Sequence, residues 1–280
     1  MFSIKDVADY YNSTQTHYEK WWDLKNSLSL HYGIWEAETK NFSESLTNTN
    51  RIMMELVNIQ DSEIILDAGC GVGGSALFLA GNKNVQVIGI TLSEKQVKLA
   101  TNSARARKLD HKVSFEIADY TDTPFKEETF DVVWACESIS SAIDQSEFLR
   151  ESYRVLKKGG RLILSDFYLT DDGQADKKDL IRKWCQTWSI SNLVTSDFFE
   201  SSLIKQKFEL RENIDYSDKI LRTSRRMFYA AIIGWLPSEL YNFFHPGVSR
   251  FAKKHYLSGY YQYRALRENL WKYRIMLAVK

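Results

Sequence analysis

The residues with the clearest chemical promise lie between Asp67 and Glu137. In ILDAGCGVGGSALFLA, Ile65 to Ala80, an acid at Asp67 precedes Gly69, Gly71, Gly73 and Gly74. Gly69-x-Gly71-x-x-Gly74 is the spacing of a dinucleotide-binding turn, where backbone approaches a pyrophosphate at a helix N-terminus. Asp67-x-Gly69-x-Gly71-x-Gly73 suits a different adenosine cofactor. A carboxylate beside the turn repels a pyrophosphate, but it can bear on a cationic amino-acid head group or on water. The flanking residues discriminate between the two. A dinucleotide site needs an acid about 20 residues on, at the end of the next strand, or an arginine there for a ribose phosphate. That place is taken by Thr91-Leu92-Ser93, which supplies neither. Asp119, followed by Tyr120, ends a further strand, where an acid can accept a hydrogen bond from an adenine amino group. Glu137 ends the next.

Strand ends must position these side chains. From Glu63 to about Asp166 the runs EIILDA, VQVIGI, VSFEIA, FDVVWA and RLILSD alternate with helical stretches. All but VSFEIA are nearly continuously apolar, as in strands covered on both faces. Ser93 and Gln96 stand at capping-box spacing. FLRESYRVLKKGG, from Phe148, reads as an amphipathic helix ending in cations and a Gly159-Gly160 stop. The alternation predicts an α/β fold with a doubly wound, mostly parallel sheet and right-handed crossovers. A candidate strand at FELRENIDYS and a closing strand at WKYRIMLAVK bring the sheet to seven strands. The division expected is a helical lid over 1–60, a cofactor-binding core over 61–169, a helical acceptor-binding cap over 170–260, and the closing strand over 261–280. Both flanks are rich in aromatic residues. Tyr18, Trp21, Tyr32 and Trp35 lie in the first, and Trp235, Tyr241, Phe243 and Phe244 in the second. They either pack the helices or line an acceptor pocket at the carboxyl ends of the strands.

Composition narrows the class. The chain of 280 residues has a formal net charge of +1, which suggests neither a nucleic-acid footprint nor an acidic tail. Cys70, Cys136 and Cys185 are too few and too scattered for a disulfide framework or a metal cluster, so a reducing, cytoplasmic setting is expected. MFSIKDVADYY has no apolar core of signal-peptide length. MFYAAIIGWLPS is well short of the ~18 residues of a spanning helix, leaving at most a peripheral membrane contact.

Taken together, the motifs resemble those of class I S-adenosylmethionine-dependent methyltransferases. LDAGCGVGG is similar to their first motif, ADYTDTPF to the adenine-side motif and VLKKGGRLILSD to the last. GITLSEKQ, the N-terminal YY, HYGIW and LRTSRRMF resemble the group containing tocopherol, sterol and cyclopropane-fatty-acid methyltransferases. That group commonly places a serine or threonine and a glutamine where others carry the ribose-binding acid. The resemblance implies a Rossmann-like methyltransferase fold and S-adenosylmethionine as cofactor, with no metal. It further implies that the cofactor is held by Tyr11, His31, Asp67, Gly69, Cys70, Gly71, Gly73, Thr91, Leu92, Gln96, Asp119 and Tyr120. Gly69 and Gly71 are expected to leave no room for a Cβ. Tyr11 and His31 are either closing residues over the methionine end or packed side chains.

Glu137 is the expected catalytic residue, a carboxylate near the sulfonium and the acceptor; the other reading is an anchor for backbone amides. Tocopherol- and sterol-type enzymes carry Glu-Ser-Gly-Glu-His or Glu-Ala-Thr-x-His here, whereas this chain reads Glu137-Ser138-Ile139-Ser140-Ser141. In the cyclopropane group the later Glu-His pair helps hold a bicarbonate base, so the two serines count against cyclopropanation. Arg222, Arg225 and Arg226 are either a solvated helix face or a site for an acceptor anion or lipid headgroup. The function expected is methyl transfer to a hydrophobic, isoprenoid- or lipid-like small molecule at carbon or oxygen. The alternative is O- or N-methylation of a polar metabolite or a natural-product sugar or phenol. A non-catalytic binder of adenosylmethionine or NAD is the third reading.

Overall fold

Strands β1, β2, β4 and β5 form because their β-branched and apolar side chains alternate between two buried faces, while β3 is a more exposed edge strand. In chain order, the computed structural model has α1 (Leu24–Ser27), α2 (Phe42–Leu56), β1 (Ile64–Ala68), α3 (Gly74–Asn82), β2 (Gln86–Thr91), α4 (Glu94–Ala106), β3 (Val113–Ile117), β4 (Phe130–Cys136), α5 (Gln145–Val155) and β5 (Leu156–Leu169). There follow α6 (Leu180–Trp188), α7 (Ser196–Lys205), β6 (Glu209–Asp215), α8 (Ser217–Phe244), α9 (Arg250–Lys254), α10 (Ser258–Arg267) and β7 (Trp271–Val279). The structure describes residues 24–170, 176–191 and 193–280, together with Asp6, Asp9, Ser13 and Thr14.

The seven strands make one sheet in the order β3-β2-β1-β4-β5-β7-β6. β1 to β5 are parallel. β7 runs antiparallel between β5 and β6, with Trp271 opposite Leu169. Alternation assigns neighbouring residues to opposite cores. Ile65, Val132, Trp134 and Ile163 face one with Met53, Trp184 and Trp271, while Leu66, Val133, Ala135 and Leu164 face the other with Phe148 and Phe199. The helix start read at Ser93 is present, its hydroxyl accepting from the Gln96 amide.

Three boundaries differ from the reading of the sequence. α2 lies inside the stretch expected as a lid, yet Leu46 and Met53 are buried in the first core, so α2 belongs to the body. Among described residues, the part of that stretch bordering the cleft narrows to Leu28–His31. α5 ends at Val155 rather than at the double glycine. Leu156 is already extended and pairs with Phe130, and Lys157 reaches Asp131 at 2.7 Å where the register slips. Residues from 261 first complete α10, and the closing strand starts only at Trp271. Among described residues, no helix is long and apolar enough to cross a membrane.

Candidate active site

A cleft opens at the carboxyl ends of the parallel strands, the usual place for a ligand in a doubly wound sheet. Each of the first four strands delivers at least one lining residue: Asp67 from β1, Thr91 from β2, Asp119 just after β3 and Glu137 just after β4. Phe167 of β5 lines it as well.

The glycine turn is tied back by the Gly69 and Cys70 amides, which donate to the Ile90 carbonyl at 3.0 and 2.9 Å. At Gly69 (φ +85) a Cβ would lie 2.4 Å from the Ser138 Cβ, so the expectation of no room holds. At Gly71 it does not. The nearest atom would be Leu30 Cδ1 at an ordinary 3.5 Å, and glycine is required there by its φ of +52. Asp67 is buried, and its Oδ2 has no hydrogen-bond partner among described residues. Burial raises its carboxyl to about 7, opposed by the Ala76 amide. Cys70 beside it is also buried, and burial holds its thiol well above the usual range, hence neutral.

On the β2 side the Thr91 hydroxyl donates to Gln96 Oε1 at 2.7 Å. With that oxygen committed, the amide NH2 is what Gln96 offers the cleft. Leu92 lines the same edge. Asp119 Oδ1 accepts from the Thr121 amide and hydroxyl, at 2.8 and 2.7 Å. The Tyr120 hydroxyl donates to the Ser138 carbonyl at 2.8 Å.

Glu137 has the geometry of the anchor reading and also lines the cleft. It sits at φ +52, and its Oε1 accepts from the Tyr32 amide at 2.6 Å and from the Tyr273 hydroxyl at 2.7 Å. The carboxyl is thus a backbone anchor that also borders the cleft. Burial drives it well above the usual carboxylate range despite the two donors. Asp166, unassigned in the sequence, is buried and accepts from the Ile139 and Ser140 amides at 2.9 and 3.0 Å, holding the turn after Glu137. His31 is buried. Its Nδ1 donates to the Tyr32 carbonyl at 3.0 Å, and Nε2 faces the Asn50 amide at 3.4 Å. Asn50 in turn accepts from Ser75 at the head of α3. Burial lowers His31 to about 4, so it is neutral.

Of the expected cofactor residues, all the described ones except Gly73 line the cleft. Gly73 caps α3 instead, packed against the Phe115 ring. Tyr11 lies outside the described residues. Of the aromatic flanks, Tyr32 is packed in the core and Trp188 lines the cleft, as the two readings allow, and the three arginines are exposed, as on a solvated helix face. The lining rings are Phe167, Trp188 and Tyr120, while Trp235, Tyr241, Phe243 and Phe244 point to solvent. Arg222, Arg225 and Arg226 line a separate surface pocket with Trp35 and Phe42.

These buried groups predict a pH dependence of stability. Asp67 at about 7, Asp166 at about 6 and the raised Glu137 all bind their protons more tightly folded than unfolded. Their contribution is full below the unfolded carboxyl range and is lost as pH rises through the folded values. His31, lowered from 6.5 to about 4, works oppositely, losing its contribution as pH falls between those values. Three carboxyls outweigh one imidazole. The melting temperature of the free protein should therefore fall as pH rises from about 5 to about 8. Calorimetry checks this, and a rise over that window would contradict it.

Once ionised, a buried carboxylate oxygen without a donor is stabilised by a cation. A pyrophosphate would worsen its position, whereas the ammonium of S-adenosylmethionine fits. The comparisons with known proteins agree. A methyltransferase domain family model matches residues 66–164. The 27-O-demethylrifamycin SV methyltransferase of Amycolatopsis mediterranei is 37% identical over 155 residues, 54% of this chain and 57% of that protein. Norajmaline N-methyltransferase of Rauvolfia serpentina is 32% identical, over 69% of this chain and 70% of that one. Tocopherol O-methyltransferase of Arabidopsis thaliana is 29% identical, over 77% of this chain and 66% of that one. The chain thus spans just over half of the rifamycin relative and about two thirds of the tocopherol one. Among solved structures, the cyclase SpnF (TM-score 0.81, 23% identical, 99% and 96% of the two chains) and a geranyl diphosphate methyltransferase (0.79, 18%, 99% and 98%) share the fold. The fold alone therefore leaves the chemistry open, and the relatives in sequence decide it: the chain belongs to the S-adenosylmethionine-dependent methyltransferases, and S-adenosylmethionine is its cofactor.

Proposed function

We propose that the protein transfers the methyl group of S-adenosylmethionine to an uncharged, hydrophobic small molecule of isoprenoid- or lipid-like character, at carbon or oxygen. The observation that carries this is the charge of the cleft. Its acidic lining residues are Asp67, Asp119, Glu137, Asp144 and Glu147, and no lysine or arginine is among the described ones. An anionic acceptor would meet only carboxylates, whereas a neutral one meets Phe167, Trp188, Ile190 and Ile143. The tocopherol relative points the same way by its name.

When bound, S-adenosylmethionine would supply an electrophilic methyl on a sulfonium whose thioether leaving group needs no acid. Asp67 would hold the ammonium, the Thr91–Gln96 pair the ribose edge, and Asp119 with Tyr120 the adenine side. His31 docks the Leu28–His31 loop against the glycine turn through Asn50 and Ser75. The enzyme's contribution is alignment and exclusion of water. Glu137 faces the acceptor, where its free oxygen takes a proton from a hydroxyl or stabilises positive charge at a carbon centre. Asp144 and Glu147 lie on the exposed rim of the cleft. They favour a second reading, N- or O-methylation of a polar natural product, as the norajmaline relative's name suggests. Three free cysteines accord with a reducing, cytoplasmic setting.

Incubation with methyl-labelled S-adenosylmethionine and a metabolite extract, read by mass, tests the proposal. The labelled product should partition into organic solvent, and prenylated phenols should outcompete prenyl diphosphates. A labelled anionic or water-soluble product would overturn it.

A further inference from the structure

Helix α8 carries the largest departure from a soluble surface. Thr223, Ser224, Met227, Ala231 and Gly234 bury one side of it. On the other side Tyr229, Ile232, Ile233, Leu236, Leu240, Phe243 and Phe244 are 52–79% exposed. Their spacing of three and four residues sets them in one stripe, about 22 Å long at 1.5 Å per residue. Trp235 and Tyr241 flank it and are also exposed. Patches this size mark an interaction surface.

Cations bracket the stripe. Arg222, Arg225 and Arg226 continue the same helical spacing N-terminally, and none has an ion-pair partner among described residues. Arg222 and Arg226 lie over the Trp35 and Phe42 rings, at 3.9 and 4.7 Å. At the other end Asn242 is bonded to the Lys253 carbonyl, which brings in Lys253 and Lys254 of α9. No acid occurs between Lys219 and Ser238, and the one acid within the span of the stripe, Glu239, accepts from the Tyr256 hydroxyl at 2.6 Å.

We propose that this face of α8 is a membrane-interface surface that docks on anionic phospholipid bilayers. The apolar stripe lies among the upper acyl chains, the tyrosines and tryptophan at the interface, and the arginines and lysines on headgroup phosphates. The helix lies on the bilayer and does not cross it. Charge disfavours a second copy as the occupant. An antiparallel pair of stripes would set the arginines against Lys253 and Lys254, and a parallel pair would set arginine on arginine. The surface is independent of the acceptor proposed above.

Vesicle flotation of the full chain without cofactor tests it. Vesicles of phosphatidylcholine with about one-third phosphatidylglycerol should bind roughly 100-fold more tightly than phosphatidylcholine alone, the preference fading with salt. Ile233→Glu with Leu236→Glu should abolish flotation while leaving the melting temperature and adenosylmethionine binding intact. Arg225→Gln with Arg226→Gln should reduce the preference for phosphatidylglycerol about 30-fold. Failure to float on the anionic vesicles would overturn the proposal. So would a solution dimer that the Ile233→Glu, Leu236→Glu variant dissociates.

Discussion

Asp67→Asn is expected to weaken S-adenosylmethionine binding by about 30-fold or more at pH 8 and to abolish its pH dependence. Asp67 Oδ2 is buried without a partner, so in the free protein the carboxyl holds its proton up to about 7. A cationic ammonium placed there requires the carboxylate. Below the free-protein value, binding must first expel a proton, and wild-type affinity should fall about tenfold per pH unit. Above it the affinity should be level. Asparagine keeps the shape but has no charge and nothing to titrate, so the ammonium is left buried beside an amide. Titration calorimetry on either side of pH 7, in buffers of differing ionisation heat, would also detect the proton released. Equal affinity of variant and wild type at pH 8, or a wild-type affinity flat with pH, would remove Asp67 from the cofactor site. The same variant should also flatten the part of the fall in free-protein stability that ends near pH 7.

The parts of this site that could be read from sequence are those set by neighbours in the chain. The strands were legible because fully buried parallel strands are continuous apolar runs. The turn was legible because its glycines and Asp67 lie within seven residues, and the start of α4 because Ser93 and Gln96 stand at cap spacing. What escaped depends on distant chain segments. Asp166 holds amides 26 and 27 residues away, and nothing around it in RLILSD announces them. Tyr273 reaches Glu137 across 136 positions, and the Tyr32 amide across 105. The signal for Tyr273 existed only as a residue of the closing strand, whose antiparallel register against β5 sets it opposite Phe167.

Misreadings have the same origin. The Gly159-Gly160 pair carries the local signature of a helix end, but the pairing of Leu156 with Phe130 takes the chain out of α5 earlier. At Gly71 the glycine requirement is one of backbone angle and not of space, a distinction invisible without coordinates. Trp235, Tyr241, Phe243 and Phe244 fit neither reading offered for them, whereas Phe251 is packed in the core. Composition cannot tell a ring that packs a helix from one left on its outer face.

Glu137→Gln is expected to lower turnover by about 100-fold or more while changing adenosylmethionine affinity by less than about threefold. The geometry makes this substitution informative. Both donors, the Tyr32 amide and the Tyr273 hydroxyl, use Oε1. A glutamine carbonyl at that position keeps both bonds, so the loop bearing His31 and Tyr32 stays docked. What is lost is the charge and proton affinity of the other oxygen. Glu137→Ala is the contrasting variant, because it leaves the Tyr32 amide without its acceptor and should cost about 1–3 kcal/mol of stability. Burial raises the Glu137 carboxyl, so the wild-type rate should climb with pH as that group ionises, and Glu137→Gln should lose this limb. Tyr273→Phe removes one donor from the carboxylate and should shift the limb upward, the mark of a positioning residue. If Glu137→Gln turned over at the wild-type rate with an unaltered pH profile, Glu137 would be an anchor for the Tyr32 amide and nothing more. Proton transfer or charge stabilisation would then have to come from the acceptor or from solvent.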